Sequence, residues 1–118
     1  MANSKPQNDK EMATPEFTDW QDVLGLLSHS CQQEQLEFLL SMLLTYDERE
    51  ALLARMNILH ELMKGEHSQR QISQMLGVGV ATITRGSAEL KKLEDEQKQQ
   101  LQAMLQAAAE TSAKSGLD

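Results

Sequence analysis

Twice between residues 45 and 77 the chain writes a helix start followed by a glycine stop. Thr45 and Glu48 have the capping-box spacing, in which the threonine hydroxyl accepts from the amide three residues on and the glutamate reaches back to the threonine amide. Leu52, Met56, Leu59 and Met63 follow at helical spacing as one apolar stripe, and Gly65 supplies a left-handed stop. Ser68 and Gln71 repeat the start, Ile72, Met75 and Leu76 supply the apolar groups of a short helix, and Gly77 ends it. Composition carries the helical reading to the whole chain. Leu, Met, Ala, Gln and Glu dominate and only 3% of residues are aromatic, which favours helix over sheet.

At 118 residues the chain is read as one all-α domain of about six helices. Residues 1–15, with Pro6, Pro15 and little to bury, are expected to form a mobile arm. Residues 16–112 are the helical domain, and residues 113–118 are expected to fray. A first helix is expected from Phe17 through Trp20, Val23, Leu24 and Leu27, and a second around Leu36, Leu39, Leu40 and Leu43. A fifth carries Val80, Ile83 and Leu90, and a sixth carries Leu93, Leu101, Met104, Leu105 and Ala108. No Pro or Gly marks the junction of the last two. The apolar pairs Leu36/Leu40 and Leu101/Leu105 are poorly covered in so short a chain, so a homodimer is expected.

No apolar run approaches the ~18 residues of a membrane span, and the polar N-terminus has no apolar signal core, so a cytoplasmic protein is the reading. Cys31 stands alone and cannot build an internal disulfide. His29, His60 and His67 fall on different elements without metal-ligand spacing, and no phosphate loop or nucleophile motif is present, so neither a metal site nor catalysis is expected.

The net charge of -7 argues against nucleic acid until its distribution is considered. Residues 64–92 hold Lys64, Arg70, Arg85, Lys91 and Lys92 against only Glu66 and Glu89, an island of +3 in an acidic chain. Charges are screened over ~8 Å at physiological salt, so a local basic surface can meet phosphate while the far side stays acidic. The island coincides with a short helix, a Gly77-Val78-Gly79 turn and a second short helix, the pattern of a helix-turn-helix over residues 68–87. Ile72, Leu76, Val78 and Ile83 are placed to lock its two helices together, and Gly77 and Gly79 to permit the turn. Gly79, Val80, Ala81, Thr82 and Thr84 are small, which lets a helix N-terminus enter a major groove and offer its amides to phosphate. Arg70 is the candidate for bidentate reading of guanine, and Lys64, Gln69, Thr82 and Thr84 are candidate phosphate contacts. An ordinary helical hairpin with a solvated Arg70 has the same pattern.

Two blocks make a resemblance specific. The first is Leu44-Thr45, Asp47-Glu48-Arg49 and Ala51-Leu52; the second is Ser68-Gln69-Arg70, Leu76-Gly77, Gly79 and the run from Ala81 to Ser87. With these the chain resembles the tryptophan (Trp) repressor family over about residues 20–92. The resemblance implies an intertwined homodimer that represses transcription at double-stranded operator DNA with L-tryptophan as corepressor. It implies that the guanidinium groups of Arg55 and Arg85 sandwich the indole ring. It places the main-chain carbonyls of Met42 and Leu44, beside Thr45, on the ligand ammonium, Leu59 along the ring, and Gly86 where ligand and backbone approach closely.

Three positions depart from the family pattern. Glu89 stands where a serine near the ammonium is usual, and pairs with that ammonium or faces solvent. Tyr46 stands in place of a proline, and Ser73 in place of a lysine that faces phosphate. Two other readings remain open at this level: a regulator of the same fold with another effector or none, and a helical protein-interaction module without a DNA role.

Overall fold

The computed structural model describes the backbone of residues 13–117 and the side chains of residues 13–112. All regular structure among the described residues is helical, in six elements. The arm expected over residues 1–15 falls outside the described residues except for 13–15, which are exposed and without regular structure. The side chains of 113–118 are also outside them, although the last helix extends to Leu117.

The chain divides into two compact units, Met1–Leu44 and Thr45–Asp118. The first holds α1 (Trp20–Gln32) and α2 (Leu36–Leu43). Helix α1 starts three residues later than the apolar spacing predicts. Asp19 is its cap: its carboxylate accepts from the Asp22 amide at 3.2 Å, and Asp22 Oδ2 accepts from the amides of Thr18 and Asp19 at 2.9 and 3.3 Å. Phe17 is therefore left outside the helix, exposed.

The second unit holds α3 (Tyr46–Lys64), α4 (Gln69–Leu76), α5 (Val80–Lys91) and α6 (Asp95–Leu117). Both expected capping boxes form. Thr45 N donates to Glu48 Oε1 at 2.8 Å and Ser68 N donates to Gln71 Oε1 at 2.8 Å, each with its reciprocal bond at 3.1 Å. Gly65 and Gly77 end α3 and α4 in the left-handed conformation, at φ of 69° and 68°. Gly79, expected to be a second such hinge, has φ -69° and ψ 150°, a conformation open to any residue. Gly77 alone turns the chain between α4 and α5.

The core of this unit takes one isoleucine from each of three helices: Ile58 (α3), Ile72 (α4) and Ile83 (α5), with Leu62, Leu76 and Val78 packed around them. Full burial of each such side chain is worth about 1.5–3 kcal/mol, and this cluster joins α4 and α5 to α3. The residues expected to lock the two short helices do so. The stripe expected to bury α3 does not. Ile58 is 2% exposed, whereas Leu52 and Met56 are 47% and 45% exposed. Helix α3 carries apolar groups on more than one face, and α4 and α5 cover the face centred on Ile58.

The junction of α5 and α6 needs neither Pro nor Gly. The amides of Lys92 and Leu93 fold back onto the carbonyls of Glu89 and Leu90 at 3.2 and 3.1 Å. Glu94 N then donates to Gln97 Oε1 at 2.9 Å and begins the next helix. Leu105 of α6 is buried, contrary to the expectation that Leu101/Leu105 lies open; large apolar groups left exposed include Leu52, Leu53 and Met56 of α3 and Met104 of α6.

Candidate functional site

Helices α3 and α5 enclose a cavity of about 550 Å³, within the ~300–1,000 Å³ of ordinary small-molecule sites. Helix α3 contributes Ala51, Ala54, Arg55, Ile58 and Leu59, and α5 contributes Thr82, Arg85, Gly86 and Glu89. Both sets recur at intervals of three and four, so each is a single helical face. The capping box at Thr45 sets where α3 begins, and the turn at Gly77 with buried Ile83 sets the rotation of α5.

Five of the residues expected at the ligand meet here: Arg55, Leu59, Arg85, Gly86 and Glu89. The cavity thus places two guanidinium groups, from different helices, around an apolar floor of alanine, leucine and isoleucine. Ala51, Ala54 and Ile58 escaped the sequence reading. A signal was present for Ala51, a small residue one turn before Arg55 on its face, which leaves room for a ring.

Three expected ligand residues lie elsewhere. The Thr45 hydroxyl is engaged in its cap and does not line the cavity. Met42 and Leu44 belong to the first unit. Met42 sits in the last turn of α2, where carbonyls have no intrahelical amide partner, and Leu44 is the extended residue that closes the helix.

Gly86 has a physical reason in the packing as well as the one expected at the ligand. A Cβ at this position would stand 2.9 Å from Ile58 Cγ2 and 3.6 Å from Leu62 Cδ1. The bare backbone therefore lets α5 approach α3. Ile58 is buried and β-branched, so its methyl cannot swing aside. Gly86→Ala is expected to destabilise by about 1–3 kcal/mol through overpacking, read as a lower melting temperature, with distortion of the cavity wall.

The residues expected at DNA divide. Arg70, in the first turn of α4, is exposed and forms no ion pair among the described residues. Gly79, Val80, Ala81 and Thr84 are exposed at the start of α5, whose N-cap Gly79 makes no side-chain cap. Gln69 and Thr84 bridge the two helices: Thr84 Oγ1 donates to Gln69 Oε1 at 3.1 Å, or to the Val80 carbonyl at 3.0 Å. Thr82 lines the cavity instead of standing with Ala81 and Thr84. Lys64 lies 3.3 Å from Glu61 and 3.9 Å from Glu66, so any phosphate must compete with two carboxylates.

Ser73 is half-buried and turned into the hairpin. Its hydroxyl donates to the Val78 carbonyl at 2.5 Å, while its own carbonyl accepts from the amides of Gly77 and Val78 at 2.9 and 3.2 Å. These bonds latch the turn that aims α5. Ser73→Ala leaves the Val78 carbonyl without its side-chain donor and is expected to destabilise by about 1 kcal/mol, measured by denaturant unfolding.

Comparison with known proteins bears on this arrangement. A sequence model described as "Trp repressor protein" matches residues 18–105. A protein named Trp operon repressor homolog from Vibrio vulnificus (strain YJ016) is 62% identical over 92 residues, 78% of this chain and 90% of that protein. One of the same name from Vibrio cholerae is 63% identical over 91 residues, 77% and 88% of the two chains. Another, from Aliivibrio fischeri, is 57% identical over 102 residues, 86% and 91% of the two.

Proposed function

Because the chain belongs to the Trp repressor protein family, a family of regulators and not of enzymes, we propose that it is a transcriptional repressor that binds operator DNA as a homodimer when L-tryptophan occupies the cavity between α3 and α5. The observation that carries this reading is that one helix serves both ends. Arg85, Gly86 and Glu89 line the cavity, and Val80, Ala81 and Thr84, at the start of the same helix α5, stand exposed after the turn. A ligand wedged between α5 and α3 bears directly on how the N-terminus of α5 is presented.

In this reading the indole ring lies between the guanidinium planes of Arg55 and Arg85, where cation–π contact is favourable. Arg85 also pairs with the ligand carboxylate. Leu59 packs along the ring, and Thr45 orders the start of α3. Arg70 reads base edges, and Gly79, Val80, Ala81 and Thr84 bring the α5 N-terminus to the duplex, with Gln69 and Lys64 on the backbone. The exposed apolar groups Leu53, Met56 and Met104 support burial against a second copy. No described helix is long and apolar enough to cross a membrane.

Twofold symmetry then sets two reading helices about 34 Å apart, one turn of DNA. Tryptophan acts by binding that arrangement better than its alternatives. Linkage requires operator DNA to tighten tryptophan binding by the factor with which tryptophan tightens DNA binding. Selection of bound duplexes from a random pool, with and without L-tryptophan, tests the proposal. A palindrome enriched only with tryptophan is expected; equal enrichment in both arms overturns the corepressor role, and no enrichment in either overturns DNA recognition.

A further inference from the structure

Helix α5 begins without a side-chain cap of its own. Thr45 and Ser68 close the starts of α3 and α4 with full capping boxes, but the cap residue of α5 is Gly79, which has no side chain to accept from the first-turn amides. Local chemistry that fixes where α5 points must therefore come from outside the helix.

Helix α4 supplies it. A helical serine commonly bonds back to the carbonyl four residues earlier, as Ser30 does to Leu26 at 2.8 Å. Ser73 instead reaches forward, past Gly77, and its hydroxyl donates to the Val78 carbonyl at 2.5 Å. Val78 precedes the cap Gly79, so this bond holds the peptide that leads into α5. The Thr84 hydroxyl also crosses to α4, but it is exposed and divides between Gln69 and the Val80 carbonyl at 3.1 and 3.0 Å. The Ser73 bond is half-buried, where water competes less, and is the firmer of the two.

We propose that Ser73 is a positioning residue for DNA recognition, which acts through the Val78–Gly79 peptide to aim the start of α5 and itself touches no DNA. Its hydroxyl is spent inside the turn. With that bond in place the aimed turn is the populated one in the free protein; without it, part of the DNA-binding energy goes into ordering the turn. The inference rests on the DNA-binding reading and assigns the aim of its reading helix to one side chain of the preceding helix.

The test compares the full-length wild type with Ser73→Ala at saturating L-tryptophan, at a temperature where both are folded. The probe is the duplex that the tryptophan-dependent selection enriches, titrated over a series of salt concentrations. One such hydrogen bond is worth about fivefold in the population of the aimed turn, and two reading helices in a dimer multiply that to about twenty-five-fold in duplex affinity. The slope of log affinity against log salt is expected to stay unchanged, because no charge is removed. Amide hydrogen exchange without DNA reads the turn directly. The amides of Thr82 and Ile83, bonded to the Gly79 carbonyl, are expected to exchange about fivefold faster in Ser73→Ala, relative to the Ile72 amide bonded to Ser68 within α4. Equal acceleration at all three amides, or duplex affinity within twofold of wild type, overturns this inference alone. A slope shallower by about one unit also overturns it, since it would make Ser73 part of the phosphate contact. Failure of the folded wild type to bind any duplex with tryptophan present overturns the DNA-binding reading, and this inference with it.

Discussion

Replacing both Arg55 and Arg85 with alanine is expected to weaken L-tryptophan binding by about a hundredfold or more while leaving the fold intact. The two guanidinium groups come from different helices and meet only at the cavity. Each loses a cation–π contact worth about 0.5–2 kcal/mol, and Arg85 also loses a charged hydrogen bond worth about 1.5–3 kcal/mol. At about 1.4 kcal/mol per factor of ten, these sum to about two orders of magnitude or more. Both arginines are exposed, so the change in unfolding free energy should stay within about 0.5 kcal/mol. Titration calorimetry reads the first effect and denaturant unfolding the second. Tryptophan affinity within threefold of wild type in a folded double variant contradicts the site.

The second large effect lies under the same helix. Ile83 is 0% exposed and packs with Ile58 and Ile72 in the core that joins α3, α4 and α5. Ile83→Ala removes buried methyl groups and leaves a cavity, a change worth about 2–5 kcal/mol. At several degrees per kcal/mol, the melting temperature is expected to fall by about 10 °C or more. Ile83→Val, which deletes one methylene, should cost only about 0.5–1.5 kcal/mol. Because Ile83 sets the rotation of α5, the alanine variant is also expected to lose DNA affinity at temperatures where it remains folded. A loss below 1 kcal/mol for Ile83→Ala would show that the three isoleucines do not form the core of this unit.

The elements most legible in the sequence were those closed by local chemistry. The boxes at Thr45/Glu48 and Ser68/Gln71 and the glycines at 65 and 77 are satisfied within a few residues, so their pattern is their structure. The start of α1 was less visible because an Asp19/Asp22 pair does the work of a Ser/Thr–Glu box. The junction of α5 and α6 was hidden because its stop is made by backbone bonds at Lys92 and Leu93, with no breaker residue.

Packing direction was harder to read than helix position. Leu52, Met56, Leu59 and Met63 have the spacing of a core stripe, yet Ile58 on another face is the buried residue. A helix with several apolar faces does not say which of them its neighbours will take. The same ambiguity moved Thr82 from the expected DNA face to the cavity and hid the close contact of Gly86 with Ile58.

From residue order alone came the all-helical class, the short helix–Gly77–short helix unit, the basic island around it, and the pairing of Arg55 with Arg85 through family likeness. These depend on contacts within a turn or two of chain, or on motifs that survive without coordinates. Only the tertiary structure decided that Ala51, Ala54 and Ile58 wall the cavity, that Ser73 latches the turn, that Lys64 is held between two carboxylates, and that Glu89 lines the same cavity as both arginines. Each of those facts depends on the rotation of one helix against another or on the path of a side chain, and these are set by the joint packing of distant residues.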